Sequence, residues 1–155
     1  MHYPSEANNF LVEHVSSIRN SYRQLLGKEL IPGMLPDEQF ARQLFYAPFA
    51  VVSHDTAQNP VFNYANLKAL ELFEFSWDEF THLPSRMSAE PVNQHERDRL
   101  LAEVAEKGYI EHYEGVRLSK TGKRFLIKNA AVWNLFDNEG CYKGQAACFG
   151  EWSFL

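Results

Sequence analysis

Cysteine is scarce in this chain. Cys141 and Cys148 are the only two, too few for a disulfide framework and without the spacing of a metal-ligand set. Both are read as free structural thiols, and their odd separation directs them to opposite faces of a strand. Excess positive charge is missing too. Lys and Arg total 15 against 20 Asp and Glu, a net charge of −5, the reverse of what attraction to a phosphate backbone requires. No stretch approaches the roughly 18 apolar residues of a membrane-spanning helix. Glu6, Asn8 and Asn9 stand where a secretory signal would be apolar. The six histidines show neither HExxH nor any paired ligand spacing, so no metal is expected. These absences predict a cytoplasmic protein with no membrane anchor and no nucleic-acid partner.

Aromatic side chains, by contrast, are plentiful. Twelve Phe, seven Tyr and three Trp suffice to fill a core or to line a cavity for a flat or apolar ligand. At 155 residues the chain can bury one sizeable core but rarely two. The expected organisation is a helical extension over residues 1–46 followed by one domain over 47–155.

The domain is organised around PVFNYANLKALELF, Pro60 to Phe73. Val61, Phe62 and Tyr64 read as a short strand, and Ala65, Ala69, Leu72 and Phe73 then recur at helical spacing. Upstream, Phe49 to Ser53 is a second β-branched and aromatic run, joined to the first by the turn residues of Asp55 to Pro60. Ser76 with Glu79 three residues on has the spacing of a capping box. Leu83 to Pro91 is an irregular turn, and Gln94 to Lys107 a helix with Leu100, Leu101 and Val104 on its apolar face and Arg97 assigned to its wet side. Three strands follow, from Tyr109, Phe125 and Tyr142, linked by hairpins at SKTGK (119–123) and DNEG (137–140). Alternation places Phe125, Ile127, Asn129, Ala131, Trp133 and Leu135 on one face. It places Tyr142, Gly144, Ala146, Cys148 and Gly150 on one face of the last strand, where small side chains leave room above the sheet. The fold class is therefore α+β, a five-stranded antiparallel sheet with helices on one face.

The amino-terminal segment carries a narrow apolar seam, Leu11, Val15, Ile18, Tyr22 and Leu25, ended by Gly27. Such a seam packs either on the chain's own sheet or on the same helix of a second copy. Dimerisation through these five residues is the favoured expectation.

Taken together, VVSHDTAQNPVFNYANLKALELFEFSWDEF, LPSRMSAEP, SKTGKRF and VWNLFDNEG with GQAACFGEW resemble the MEKHLA domain, a PAS-like family, over about Phe10 to Trp152. The resemblance implies a PAS-type sheet whose helical side holds a ligand and whose amino-terminal helix mediates pairing. Similar domains end certain plant homeodomain-zipper transcription factors, but nothing here resembles a homeodomain. Flavin-bonding light sensors of the PAS group carry a reactive cysteine in the segment corresponding to Leu83 to Pro91, where this chain has only Ser85 and Ser88. Their strand asparagine falls near Ile127 and their terminal glutamine near Ala146, with Gln145 adjacent. No covalent flavin is expected. Haem is not expected either, since His95 is a lone histidine among charged neighbours.

The expected ligand-binding residues are Trp77, Arg86, Met87, Asn129, Trp133 and Cys148. Arg86, between Ser85 and Met87 in the roof, has the donor fork that suits a carboxylate or phosphate. Asn129 offers a ligand hydrogen bonds on an apolar face or, the favoured alternative, satisfies a bulge or neighbouring backbone. Trp77 and Trp133 offer flat surfaces or, more often for such residues, belong to the core. Arg86 alternatively ties its loop to Glu90 or a helix end. Ser53, His54 and Asp55 are the residue types of a hydrolase triad, yet neighbours on a strand alternate faces and cannot converge. Thr121 to Lys123 lacks the glycine and hydroxyl of a phosphate loop. His112 with Glu114 has the types for acid–base work, but an exposed cross-strand charge pattern explains the pair equally well. The functional expectation is a stand-alone, non-enzymatic sensory or binding module for a small ligand, a protein partner or a second copy. The alternatives are a ligand-free interaction domain whose core is filled by its own aromatics and, less favoured, a small enzyme using the same pocket with Arg86, His112 or Glu114.

Overall fold

The computed structural model describes residues 2–90 and 94–155; Pro91, the expected end of the irregular turn, lies outside them. A 3₁₀ segment, Glu6–Leu11, leads into α1 (Val12–Leu26), then α2 (Asp37–Phe45). Strands β1 (Ala50–His54) and β2 (Phe62–Ala65) precede α3 (Leu67–Phe73), α4 (Trp77–Phe80), a 3₁₀ turn at Ser85–Ser88 and α5 (Gln94–Lys107). The chain closes with β3 (Tyr109–Leu118), β4 (Arg124–Phe136), β5 (Tyr142–Phe149) and β6 (Glu151–Phe154).

The strands form one antiparallel sheet in the order β2-β1-β5-β4-β3. β6 is the continuation of the last ribbon after a break at Gly150. It pairs with the first half of β4, Phe125 opposite Phe154, while β5 pairs with the second half. The five expected ribbons are therefore present, the fifth in two pieces. Local signals explain the joints. The Ser76 hydroxyl accepts from Glu79 N while the Glu79 carboxylate accepts from Ser76 N, a complete capping box. Gly27 ends α1 at φ 72°, a conformation that costs glycine no Cβ clash.

α1 lies on one face of the sheet. Val15, Ile18 and Tyr22 are buried there, Tyr22 packs edge-on against Trp133 with centroids 4.8 Å apart, and Trp133 Nε1 donates to the Ile18 carbonyl at 3.3 Å. The apolar seam expected to pair two copies is thus occupied by the chain's own sheet, with Leu11 and Leu25 half-buried at its ends. α3, α4, the 3₁₀ turn and α5 cover the opposite face.

The face assignment needs a second correction. Asn129 in β4 and His112 in β3 both have positive φ, 53° and 58°, and the β3–β4 register shifts on either side of Tyr113. These are two compensating bulges, each inserting one extra residue. Alternation restarts after Asn129. Phe125 and Ile127 face α3 and α5, but from there on it is Val132 and Asn134 that do so, while Ala131, Trp133 and Leu135 face α1. On β5 the residues paired with Ala131 and Trp133 are Cys148 and Ala146. The row of small side chains is therefore under α1, not above the open face. Gly144 belongs to that row for a local reason: at φ 129° a Cβ there would lie 1.9 Å from the His54 carbonyl oxygen.

Candidate functional site

Between the sheet and α5 lies a cavity of about 80 Å³. Its floor is built by strand pairing. Val52, Ala147 and Val132 form one rung across β1, β5 and β4, and His54, Gln145 and Asn134 form the next. Ser85 and Ser88, the inward side of the 3₁₀ turn, and Arg97, Leu100 and Leu101 of α5 close it from above, with Tyr113 and Arg117 of β3 at the side.

Most of the lining is apolar, and the polar groups are few and buried. Arg97 donates to the Ser85 hydroxyl, which is buried beside it. Its nearest carboxylate, Asp98, is 3.9 Å away and largely exposed, a weakly stabilising arrangement. Arg117 donates to the Val116 carbonyl at 2.8 Å and to the Tyr113 hydroxyl at 3.2 Å. Tyr113 in turn donates to Glu96, which lies outside the cavity lining. No Asp or Glu lines the cavity among the described residues. Burial lowers the pKa of Arg97, and the neighbouring Arg117 charge lowers it further. Burial likewise lowers His54, whose Nδ1 lies 2.9 Å from the Asp55 carbonyl, with the Arg97 charge acting in the same direction. The Asp55 carbonyl opposes that shift, and burial and the Arg97 charge together outweigh it. Gln145 Nε2 donates to Asn134 Oδ1 at 3.1 Å, and Asn134 Nδ2 to the Val104 carbonyl at 3.2 Å. Gln145 Oε1, buried, has no hydrogen-bond partner.

None of the six expected ligand residues lines this cavity. Trp77 is buried between Tyr3 and Tyr64, at 6.2 and 6.0 Å. Arg86 and Met87 point outward from the 3₁₀ turn, where Ser85 and Ser88 point in. Asn129 is exposed at its bulge, its Oδ1 2.6 Å from His112 Nδ1. Trp133 and Cys148 are under α1. The structure does not bring the six together. The residues it gathers instead had a signal in one case: Arg97 precedes Leu100, Leu101 and Val104 by three, four and seven positions, which puts it on the apolar stripe of α5.

A sheet in the order β2-β1-β5-β4-β3 with a helical lid over one face is the architecture of PAS domains, and solved structures agree. A PAS domain from Colwellia psychrerythraea superposes with a TM-score of 0.64 at 18% identity, covering 76% of this chain and 95% of that one. The light-state dimer of the fungal blue-light photoreceptor Vivid gives 0.60 at 16% identity, covering 86% and 90%. An RNA-binding light-oxygen-voltage receptor gives 0.63 at 17%, covering 79% and 36%. Residues 12–154 match the MEKHLA domain, and the chain belongs to that family. The homeobox-leucine zipper proteins HOX10 and HOX29 of Oryza sativa subsp. indica are 27% and 25% identical over 137 and 145 residues, 87% and 89% of this chain. The chain spans only 16% of the length of either relative.

Proposed function

We propose that this MEKHLA domain is a receptor module that takes a small molecule into the cavity between the β1–β5–β4 floor and the lid formed by Ser85–Ser88 and α5. The single observation that carries the reading is the composition of that space: a largely apolar cavity into which a buried amide oxygen and two buried guanidinium groups project. Pre-formed ligand sites have this make-up, an apolar lining with a few convergent polar groups. Its volume corresponds to roughly five to eight water-sized occupants, which suits a small ligand and falls far short of a flavin unless the lid moves. Binding would act by population shift, favouring the lid arrangement that contacts ligand and floor together, and the shift would leave the domain by association with a partner or a second copy. Because the α1 seam is covered, that association would use another surface.

A receptor is favoured over a catalyst by the chemistry of the side chains. Burial pushes the Cys148 thiol up to about 12, so it is not a thiolate nucleophile at neutral pH. No cluster of His, Cys, Asp and Glu fit to hold a metal occurs among the described residues. The test is a fragment screen by NMR on the isotope-labelled chain, run beside Ala147→Phe, which fills the floor. The expected result is that fragments shifting the amides of Val52, Val132 and Ala147 in the wild type lose that effect in the variant. A cavity that no fragment enters, or fragments that bind the filled variant equally well, would remove the receptor reading.

A further inference from the structure

The receptor reading leaves the ligand's chemistry open, and the charge inside the cavity narrows it. Arg97 and Arg117 are both buried and close enough that the charge of one bears on the other. Neither has a carboxylate in the cavity. Their hydrogen-bond partners are neutral, a serine hydroxyl for Arg97 and a tyrosine hydroxyl and a main-chain carbonyl for Arg117, and the one carboxylate in ion-pair range, Asp98 at 3.9 Å from Arg97, is exposed to solvent. Two like charges held out of water with no buried counter-ion are costly, and a charge of the opposite sign placed between them relieves both the repulsion and the desolvation. Guanidinium groups also present paired donors that match a carboxylate in plane. Much of the rest of the lining, Val52, Leu100, Val132 and Ala147 among it, is hydrocarbon, which suits a ligand with an apolar body better than an ion hydrated on every side. Gln145, whose buried Oε1 accepts no hydrogen bond of good geometry, lines the same cavity.

Building on that receptor reading, we infer that the cavity binds a small monocarboxylate with a short apolar body, its carboxylate held by Arg97 and Arg117 and its hydrocarbon against Val52, Val132 and Ala147. The volume sets the scale at a handful of non-hydrogen atoms. Short branched or straight-chain acids fit, and fatty acids or nucleotides do not.

The test uses the full isotope-labelled chain and sodium isobutyrate as the probe, with isobutyramide, uncharged and nearly isosteric, and inorganic phosphate as the comparison arms. Isobutyrate is expected to shift the Ser85 and Ala147 amides and the Gln145 side-chain amide in a saturable manner. Isobutyramide is expected to bind at least tenfold more weakly, and phosphate not to compete. Arg97→Gln and Arg117→Gln should each weaken isobutyrate at least tenfold and isobutyramide by a clearly smaller factor. Should Arg97→Gln fail to fold, Arg117→Gln and the wild-type comparison of acid with amide still decide the matter. Equal binding of acid and amide would overturn the anion assignment while leaving the receptor reading standing. Phosphate competing as tightly as the acid would overturn the monocarboxylate class. If neither acid nor amide moved any cavity resonance, the inference would fall, and the receptor reading itself would then be judged by the wider fragment screen.

Discussion

Acidification should loosen α1 from the sheet, and one histidine sets the size of the effect. His14 projects from α1 onto β1, with Nε2 2.9 Å from Ser53 Oγ. Ser53 gives its own proton to Asn63 Oδ1 at 2.6 Å, so His14 must be the donor in the first bond and carries its neutral proton on Nε2. Its ring lies 6.0 Å from that of Tyr64, and no acid pairs with it among its hydrogen bonds. Burial lowers its pKa from 6.5 to about 4. The unfolded chain therefore binds a proton that the folded chain refuses between those values, and stability is present in full above the unfolded pKa and falls as pH drops through that window. Between about pH 7 and pH 5 the loss works out at about 2 kcal/mol, somewhat less for the edge of the ring that meets solvent. The carboxylates with lowered pKa, Glu79 among them at about 2, lose stability only below this range, so the window is nearly clean. His54 titrates in the same sense, and comparison with His14→Gln separates the two. Urea unfolding at both pH values is expected to show a wild-type loss exceeding that of His14→Gln by about 1–2 kcal/mol, with faster amide exchange in α1 at the lower pH. Parallel losses in the two proteins would refute the reasoning.

Other perturbations test the frame around the cavity. Asn66 is buried; its Oδ1 accepts from Val51 N and Ala69 N, and its Nδ2 donates to the Leu44 and Phe49 carbonyls. Asn66→Ala removes a partner from four main-chain groups, of which the Leu44 carbonyl keeps Ala47 N at 3.3 Å, and should cost about 3 kcal/mol in urea unfolding. Gly144→Ala drives a Cβ into the His54 carbonyl and should cost at least about 2 kcal/mol or prevent folding, read by the thermal midpoint. At the bulge, Asn129→Gly should be nearly neutral and Asn129→Val should cost about 1–2 kcal/mol, because the residue sits at φ 53°. Native thiol titration at neutral pH should label the exposed Cys141 alone, and denaturant should release the second thiol of Cys148.

The element boundaries were legible because they rest on short-range chemistry. Gln94 to Lys107 is helical over the range its apolar spacing predicts, and the Ser76–Glu79 box and the Gly27 stop are read from two residues each. The partner faces were less legible. A strict alternation through β4 carries Trp133 to the ligand side, and only the bulge at Asn129 sends it under α1. Its one sequence signal was an asparagine inside an apolar strand, a residue type that tolerates positive φ. Asn66 went unnoticed because a lone Asn before a helix announces a cap, whereas its further bonds to β1 and to the end of α2 depend on the tertiary fold. The α1 seam was ambiguous in principle. A hydrophobic stripe states that it will be covered, never by what.

The two covered faces of the sheet are joined through single peptide units. His54 and Gln145 face the cavity while their chain neighbours Ser53 and Ala146 face α1, and Asn134 on the cavity side follows Trp133, which bonds the Ile18 carbonyl. A strand has no side chain between its faces to absorb a displacement, so a backbone shift that improves contact at Gln145 moves Ala146 against α1 by a comparable distance. β1 and β5 are paired at that point, His54 opposite Gln145, and come so close at Gly144 that a Cβ there would meet the His54 carbonyl. The His14–Ser53 bond on one side and the polar rung of His54, Gln145 and Asn134 on the other therefore read the same segment of backbone. On the receptor reading, amide exchange in α1 is therefore expected to respond to a saturating cavity ligand that does not touch the helix, most strongly in the turn that carries His14 and Ile18, and unchanged exchange there would refute the coupling.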